Sequence, residues 1–146
     1  MSKEIAIRYT TNCDAVNWEQ LRDYLVRDEF HNGRSLTQYE ISFKNSHTVV
    51  LAYADKNIIG TARALSDGVC NAYVVDVWTY KPFRGQGIAS EMMKRLFANL
   101  AGQHVYLWTD DAQGFYKTLN MYEDDATGFS KVVGNWLENP YNDGTE

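Results

Sequence analysis

The chain has 146 residues, 45% apolar and 23% charged, a balance that supports one compact core and excludes both a disordered chain and two ordinary domains. Its net charge is −5, from 19 acidic residues against 14 Lys and Arg, with no basic run; this argues against a nucleic-acid backbone as partner and suits a cationic ligand. Two cysteines and three histidines stand without metal-ligand spacing, and no apolar run approaches the ~20 residues of a membrane helix, so a metal-free, soluble, cytoplasmic protein with no membrane partner is expected.

In chain order, Glu4 to Tyr9 alternates apolar and polar residues and predicts an edge strand. Asp14 then stands where it can cap a helix carrying Trp18, Leu21 and Leu25 at helical spacing. A short helix is predicted over Ser35 to Phe43, followed by two β-rich runs, His47 to Ala54 and Ile58 to Leu65, joined by the turn Asp55-Lys56-Asn57. Val69 to Thr79 is nearly continuous in apolar residues and predicts a central strand covered on both faces. After a loop through Gly87, Ile88, Met92, Leu96 and Leu100 share one face of a helix that Gly102 is expected to end. His104 to Trp108 predicts a buried strand, Ala112 to Leu119 a short helix and Phe129 to Trp136 a last strand, before a polar tail at about 139–146. The whole is expected to be one α/β domain spanning 1–146, a mixed sheet with helices on its faces.

The stretch that carries chemistry is strand, loop and helix, Val75 to Leu100. A helix start leaves backbone N–H groups unpaired and carries about half a positive charge, and Gly85 and Gly87 let a ligand's phosphates come close to those amides. Three phosphate motifs compete. A P-loop needs a lysine that is missing here, and a dinucleotide fingerprint needs a third glycine where Ser90 stands. Arg84, Gly87 and Ala89 instead spell R-x-x-G-x-A, which resembles the acyl-CoA signature of the GCN5-related N-acetyltransferase (GNAT) superfamily. The apolar strand ending Val77-Trp78-Thr79, the following run His104 to Trp108, and Ala112-x-x-Phe115-Tyr116-x-x-Leu119 stand where that family has its counterparts. Gly60 to Asp67, with Asn71-Ala72 and Asp76-Val77, is similar to the plastid and cyanobacterial serotonin N-acetyltransferase-like branch.

The resemblance implies a GNAT-like sheet of about six or seven strands flanked by about four helices. It implies acetyl-CoA as co-substrate, with contacts from Val77, Trp78, Thr79, Arg84, Gly85, Gln86, Gly87, Ile88, Ala89, Ser90, Asp111 and Phe115. Tyr116 matches the family's tyrosine beside the CoA sulfur, and backbone N–H groups near Trp78 and Thr79 would polarise the thioester carbonyl. An alkylamine with a pKa near 10.4 is about one part in 10³ neutral at pH 7, so its proton must be removed, and Asp76 is the candidate base. The alternative for Asp76 is a buried carboxylate paired with an arginine such as Arg63. The acidic residues Asp110, Asp111 and Glu123-Asp124-Asp125 are candidates for steering a cation. The family's Leu-Gly-Phe is Leu119-Asn120-Met121 here; Asn tolerates the left-handed backbone that Gly supplies, so the turn is expected to survive. The activity implied is acetylation of a small or arylalkyl primary amine by direct attack in a ternary complex. Acetylation of a protein lysine or N-terminus and a non-catalytic CoA sensor stay open, and a homodimer is the assembly common in the resembling family.

Overall fold

A computed structural model describes residues 5–137, so the expected tail at 139–146 lies outside the described residues. The elements are β1 (Ile7–Thr10), α1 (Trp18–Arg27), α2 (Leu36–Lys44), β2 (Thr48–Ala54), β3 (Asn57–Ser66), β4 (Asn71–Thr79), a 3-10 turn (Lys81–Phe83), α3 (Ile88–Ala98), β5 (His104–Tyr106) and α4 (Gln113–Thr118). The sheet runs β1-β2-β3-β4-β5, antiparallel except for the parallel pair β4-β5.

The two faces of the sheet bury different partners. Val50, Ala52, Ile59, Ala62 and Val74 pack on one face against Ile88, Met92, Met93 and Leu96 of α3. Val49, Leu51, Tyr53, Ile58 and Trp78 pack on the other against Leu21 and Leu25 of α1 and Tyr39 and Phe43 of α2. Successive strand residues point to opposite faces, so a strand with helices on both sides is apolar at every position. That strand is β2, not β4: β2 is buried from Val49 to Ala54, whereas Asn71 and Tyr73 of β4 are exposed. Small residues let α3 come close. A Cβ on Gly60 would lie 3.0 Å from the Met92 sulfur, so Gly60 sets the distance between β3 and α3.

Several boundaries differ from the sequence expectation. The cap of α1 is Asn17, whose side chain accepts the Gln20 N–H at 3.0 Å, while the Asp14 N–H donates to the Asn12 side chain in a turn before it. Ser35 caps α2 with Gln38 reciprocating, a capping box. Helix α3 stops at Ala98, and Gly102 (φ 83°) forms the later turn into β5. Strand β5 is short and largely open, with Trp108 71% exposed beyond its end. The expected last strand does not form. Residues 122–137 carry no helix or strand, Phe129 is 93% exposed, and the sheet has five strands among the described residues rather than six or seven. Phe129, Val132, Val133 and Trp136 do not make a strand without a sheet edge to pair with, and among the described residues that segment pairs with none.

Candidate active site

Strand β4 pairs with β5 only at its start, Asn71 to Tyr73 against the whole of β5, His104 to Tyr106. Beyond that they part, and the far end of β4 opens into a cleft of about 620 Å³. A bulge sits at the parting. Asp76 and Val77 together face the single residue Ala62 of β3, and Asp76 adopts φ 54°, a left-handed conformation that is rare for a residue with a side chain. Thr61 donates its hydroxyl to the Asp76 carbonyl at 2.7 Å and helps hold that kink.

The cleft floor is the start of α3. Gly85 (φ 79°) and Gly87 (φ 80°) both lie in the left-handed region, where a Cβ is strained, and neither has an atom within 4 Å of where its Cβ would be. Gly87 is the N-cap of α3 and no side chain caps it, so the first-turn amides carry their partial positive charge bare into an open space. The Thr79 hydroxyl, at the end of β4, is buried without a hydrogen-bond partner. Bare amides, a roomy bend and an orphaned buried hydroxyl fit an extended ligand with a diphosphate at one end and polar groups along its arm.

Twelve of the residues singled out from the sequence line this cleft: Val77, Trp78, Thr79, Arg84, Gly85, Gly87, Ile88, Ala89, Ser90, Asp111, Phe115 and Tyr116. Gln86 does not, although it stands between the two glycines. Tyr116 packs with Phe115 against the α3 side of the core, rings 5.0 Å apart. Burial, then the nearby Asp111 carboxylate, pushes its phenol above the ordinary tyrosine value, so it holds its proton at neutral pH. Arg84 is already engaged within the protein: its Nε donates to the Thr79 carbonyl at 2.9 Å and its Nη2 to Asp28 at 3.3 Å.

Asp76 takes the paired arrangement. Arg34 binds it in a fork, Nη1 at 3.1 Å and Nη2 at 2.9 Å, and Arg63 Nε adds a third bond at 2.6 Å. Burial pushes the carboxyl up, but the two guanidiniums outweigh it and bring it below its ordinary value of 3.8. A carboxylate so committed is poorly disposed to take an amine's proton, and Asp76 does not line the cleft. The geometry favours the alternative named for Asp76, a buried carboxylate paired with Arg63, and adds Arg34 as a second partner. Asp110 and the run Glu123-Asp124-Asp125 are exposed and lie outside the cleft, the last run joined to α4 by the pair Lys117–Glu123 at 3.5 Å. Asn120 does adopt φ 63°, the left-handed turn expected of it.

Sequence reasoning missed the opposite wall, formed by Asp28, Glu29 and Phe30 at the end of α1. Phe30 is 43% exposed and Glu29 sits at φ 54°. No motif marks them, because what brings them to the cleft is the packing of α1 across the sheet. A second cleft of about 590 Å³, lined in part by Cys13, Lys44, His47 and Asn99, lies elsewhere and has neither a bare helix start nor an orphaned buried donor. No group of three or more His, Cys, Asp or Glu is placed to hold a metal among the described residues.

The profile of the acetyltransferase (GNAT) family matches residues 13–121. The chain belongs to that family. Family members use acetyl-CoA as co-substrate, and the match ends at Met121, three residues past α4, the last regular element among the described residues. An uncharacterized N-acetyltransferase, ycf52, of Pyropia yezoensis is 28% identical over 120 residues, covering 77% of this chain and 62% of the relative. The histone acetyltransferase TAP1 of Glycine max is 26% identical over 142 residues, covering 87% of this chain and 54% of its own length. The chain thus spans somewhat over half the length of these relatives. Among solved structures, an acetyltransferase fold from Deinococcus radiodurans superposes with a TM-score of 0.76 at 25% identity, covering 89% of this chain and 92% of the other.

Proposed function

We propose that this chain transfers the acetyl group of acetyl-CoA to a primary amine, with a small or arylalkyl amine as the favoured acceptor. The observation that carries the proposal is the uncapped start of α3, reached through two left-handed glycines, beside the open end of β4. Backbone N–H groups from Gly85 to Ser90, Gln86 included, hold the diphosphate in this reading. The ends of Val77, Trp78 and Thr79 take the pantetheine arm, with the orphaned Thr79 hydroxyl as an added donor, and Asp111 and Phe115 form the far side. Acetyl-CoA supplies an activated thioester whose carbonyl carbon the neutral amine attacks. Tyr116, kept protonated by burial, gives its proton to the departing sulfur and contributes about 10²-fold to the rate.

No side chain is assigned as base. The amine loses its proton to water in the open cleft, so turnover rises with pH as the neutral fraction grows. Phe30 and Glu29 offer the acceptor an apolar surface and a negative charge, a combination that suits an arylalkylammonium better than an anionic group. The naming of one relative as a histone acetyltransferase favours a protein lysine as the second reading. A cytoplasmic setting belongs to the same proposal and is consistent with Cys13 and Cys70 both being free; a homodimer is checked by sedimentation velocity.

The test mixes the protein and acetyl-CoA with arylalkylamines, polyamines and a histone-tail peptide and follows thiol release. Fastest release with an arylalkylamine supports the proposal, and fastest release with the peptide moves the acceptor to protein. Coenzyme A binding with no thiol release from any amine makes the chain a sensor and removes the enzymatic reading.

A further inference from the structure

We propose that Asp28 is a positioning residue for acyl-CoA binding, holding the diphosphate loop from the opposite wall of the cleft. The proposal rests on the acyl-CoA reading above.

Asp28 is the C-cap of α1, and its side chain is only 4% exposed. A buried carboxylate is tolerated only where donors compensate it. One of its oxygens, Oδ2, accepts three: the Trp78 indole N–H at 2.9 Å, the Lys81 backbone N–H at 3.0 Å and Arg84 Nη2 at 3.3 Å. These donors belong to the end of β4, the start of the 3-10 turn and the arginine of the R-x-x-G-x-A motif, at separations of 50, 53 and 56 residues.

Asp28 gains its importance from the two glycines just beyond Arg84. Gly85 and Gly87, both at positive φ, have no side chain to restrict their backbone, and ordering them on a ligand costs conformational entropy. The 3-10 turn before them has no side-chain cap of its own, and its first N–H is satisfied by Asp28 from another element. Arg84 is drawn to Asp28 and the Thr79 carbonyl, so the motif arginine fixes the direction in which the glycines leave the strand. Around it, Tyr80 stacks on Tyr24 of α1 with centroids 4.1 Å apart, and Arg27 donates to the Tyr80 hydroxyl at 3.4 Å. The end of α1 thus clamps the start of the loop before any phosphate arrives, which lowers the ordering cost of binding.

The test is a set of variants, Asp28→Asn, Arg84→Gln and the pair combined. Coenzyme A affinity is measured by calorimetry, and KM for acetyl-CoA and kcat are measured at saturating amine. Asp28→Asn is expected to raise the Kd for coenzyme A and the KM for acetyl-CoA about tenfold, the weight of a charged hydrogen-bond network, with kcat within about twofold. Arg84→Gln should raise both about threefold, and the double variant should be no worse than Asp28→Asn, because both changes break one network. Unchanged affinity in the variants overturns the proposal, as do additive losses. Tighter binding also overturns it, since Asp28 would then be withholding Arg84 from the phosphates. A fall in kcat at constant KM would overturn it too, placing Asp28 in the chemistry instead. If Asp28→Asn does not fold, Arg84→Gln with Trp78→Phe reads the same network: raised Kd supports the proposal and unchanged Kd overturns it. Wild-type protein that ignores coenzyme A removes the acyl-CoA reading, and this proposal with it; wild-type binding with unmoved variants overturns this proposal alone.

Discussion

Two walls face each other across the cleft, and they are held in opposite ways. The wall of β4 and α3 is one continuous stretch, in which a strand, a bend of two left-handed glycines and a helix succeed each other directly. The groups it offers to the cleft at the start of α3 are uncapped backbone amides, fixed by secondary structure itself. The opposite wall, Asp28 to Phe30, runs on through residues 31–34 without regular structure, and this stretch is fastened at both ends by side chains. Asp28 reaches Trp78, Lys81 and Arg84, and Arg34 reaches Asp76 across 42 residues. The first wall should therefore answer mutation by losing ligand, the second by losing stability or alignment.

Gly87→Glu should break the first wall outright. No protein atom stands within 4 Å of a Cβ there, so the fold survives the added bulk at a strain of roughly 1 kcal/mol. The carboxylate would meet the diphosphate, and like charges in contact cost several kcal/mol, so coenzyme A affinity should fall on the order of 10³-fold in calorimetry. Gly87→Ala, carrying the strain without the charge, should lose far less.

Asp76→Asn should break the second wall. It leaves Arg34 and Arg63 buried without a counter-charge, a loss of about 3 kcal/mol in urea unfolding. The pH dependence has a definite sign. The folded carboxyl lies below its ordinary value of 3.8, so its contribution is fully present above about pH 4 and is lost as pH falls through the folded value. Wild-type stability should drop more steeply than that of Asp76→Asn below about pH 4; parallel curves would sink the pairing. Any activity left in Asp76→Asn should keep the wild-type pH profile, as expected of a carboxylate committed to two guanidiniums; a lost basic limb would return Asp76 to the role of base.

Tyr116→Phe sharpens the comparison from inside the cleft. It should lower kcat about 10²-fold and leave coenzyme A affinity nearly unchanged. Equal turnover would take Tyr116 out of the reaction. Gly60→Ala, behind the first wall, places a Cβ 3.0 Å from Met92 and 3.1 Å from the Ala52 methyl, and should cost about 1 to 2 kcal/mol in denaturant titration. Ser35→Ala, just past that stretch, removes the capping box of α2 and should cost about 1 kcal/mol by the same measurement.

Legibility in the sequence was a matter of range. Arg84, Gly85, Gly87 and Ala89 announce a helix start able to bind phosphate because the chemistry lies within a few neighbouring residues. The turn at Asn120 was legible for the same reason, since a left-handed backbone is a property of one residue. Gln86 was expected from the same motif, and it is not among the residues lining the cleft. The segment Phe129 to Trp136 misled because aromatic and β-branched residues suit a strand but do not supply a sheet edge to pair with it.

The sequence alone determined most of the element types, the glycine bend that opens α3 and the family to which the chain belongs. These rest on local backbone preference and on hydrophobic spacing, both of which act over a few residues. Only the tertiary structure decided that β2 rather than β4 is covered on both faces, that Asp76 is bound by two arginines, and that Asp28 closes the cleft from the other side. Each of those depends on groups dozens of residues apart meeting within about 3 Å, and no pattern of neighbours along the chain encodes such a meeting.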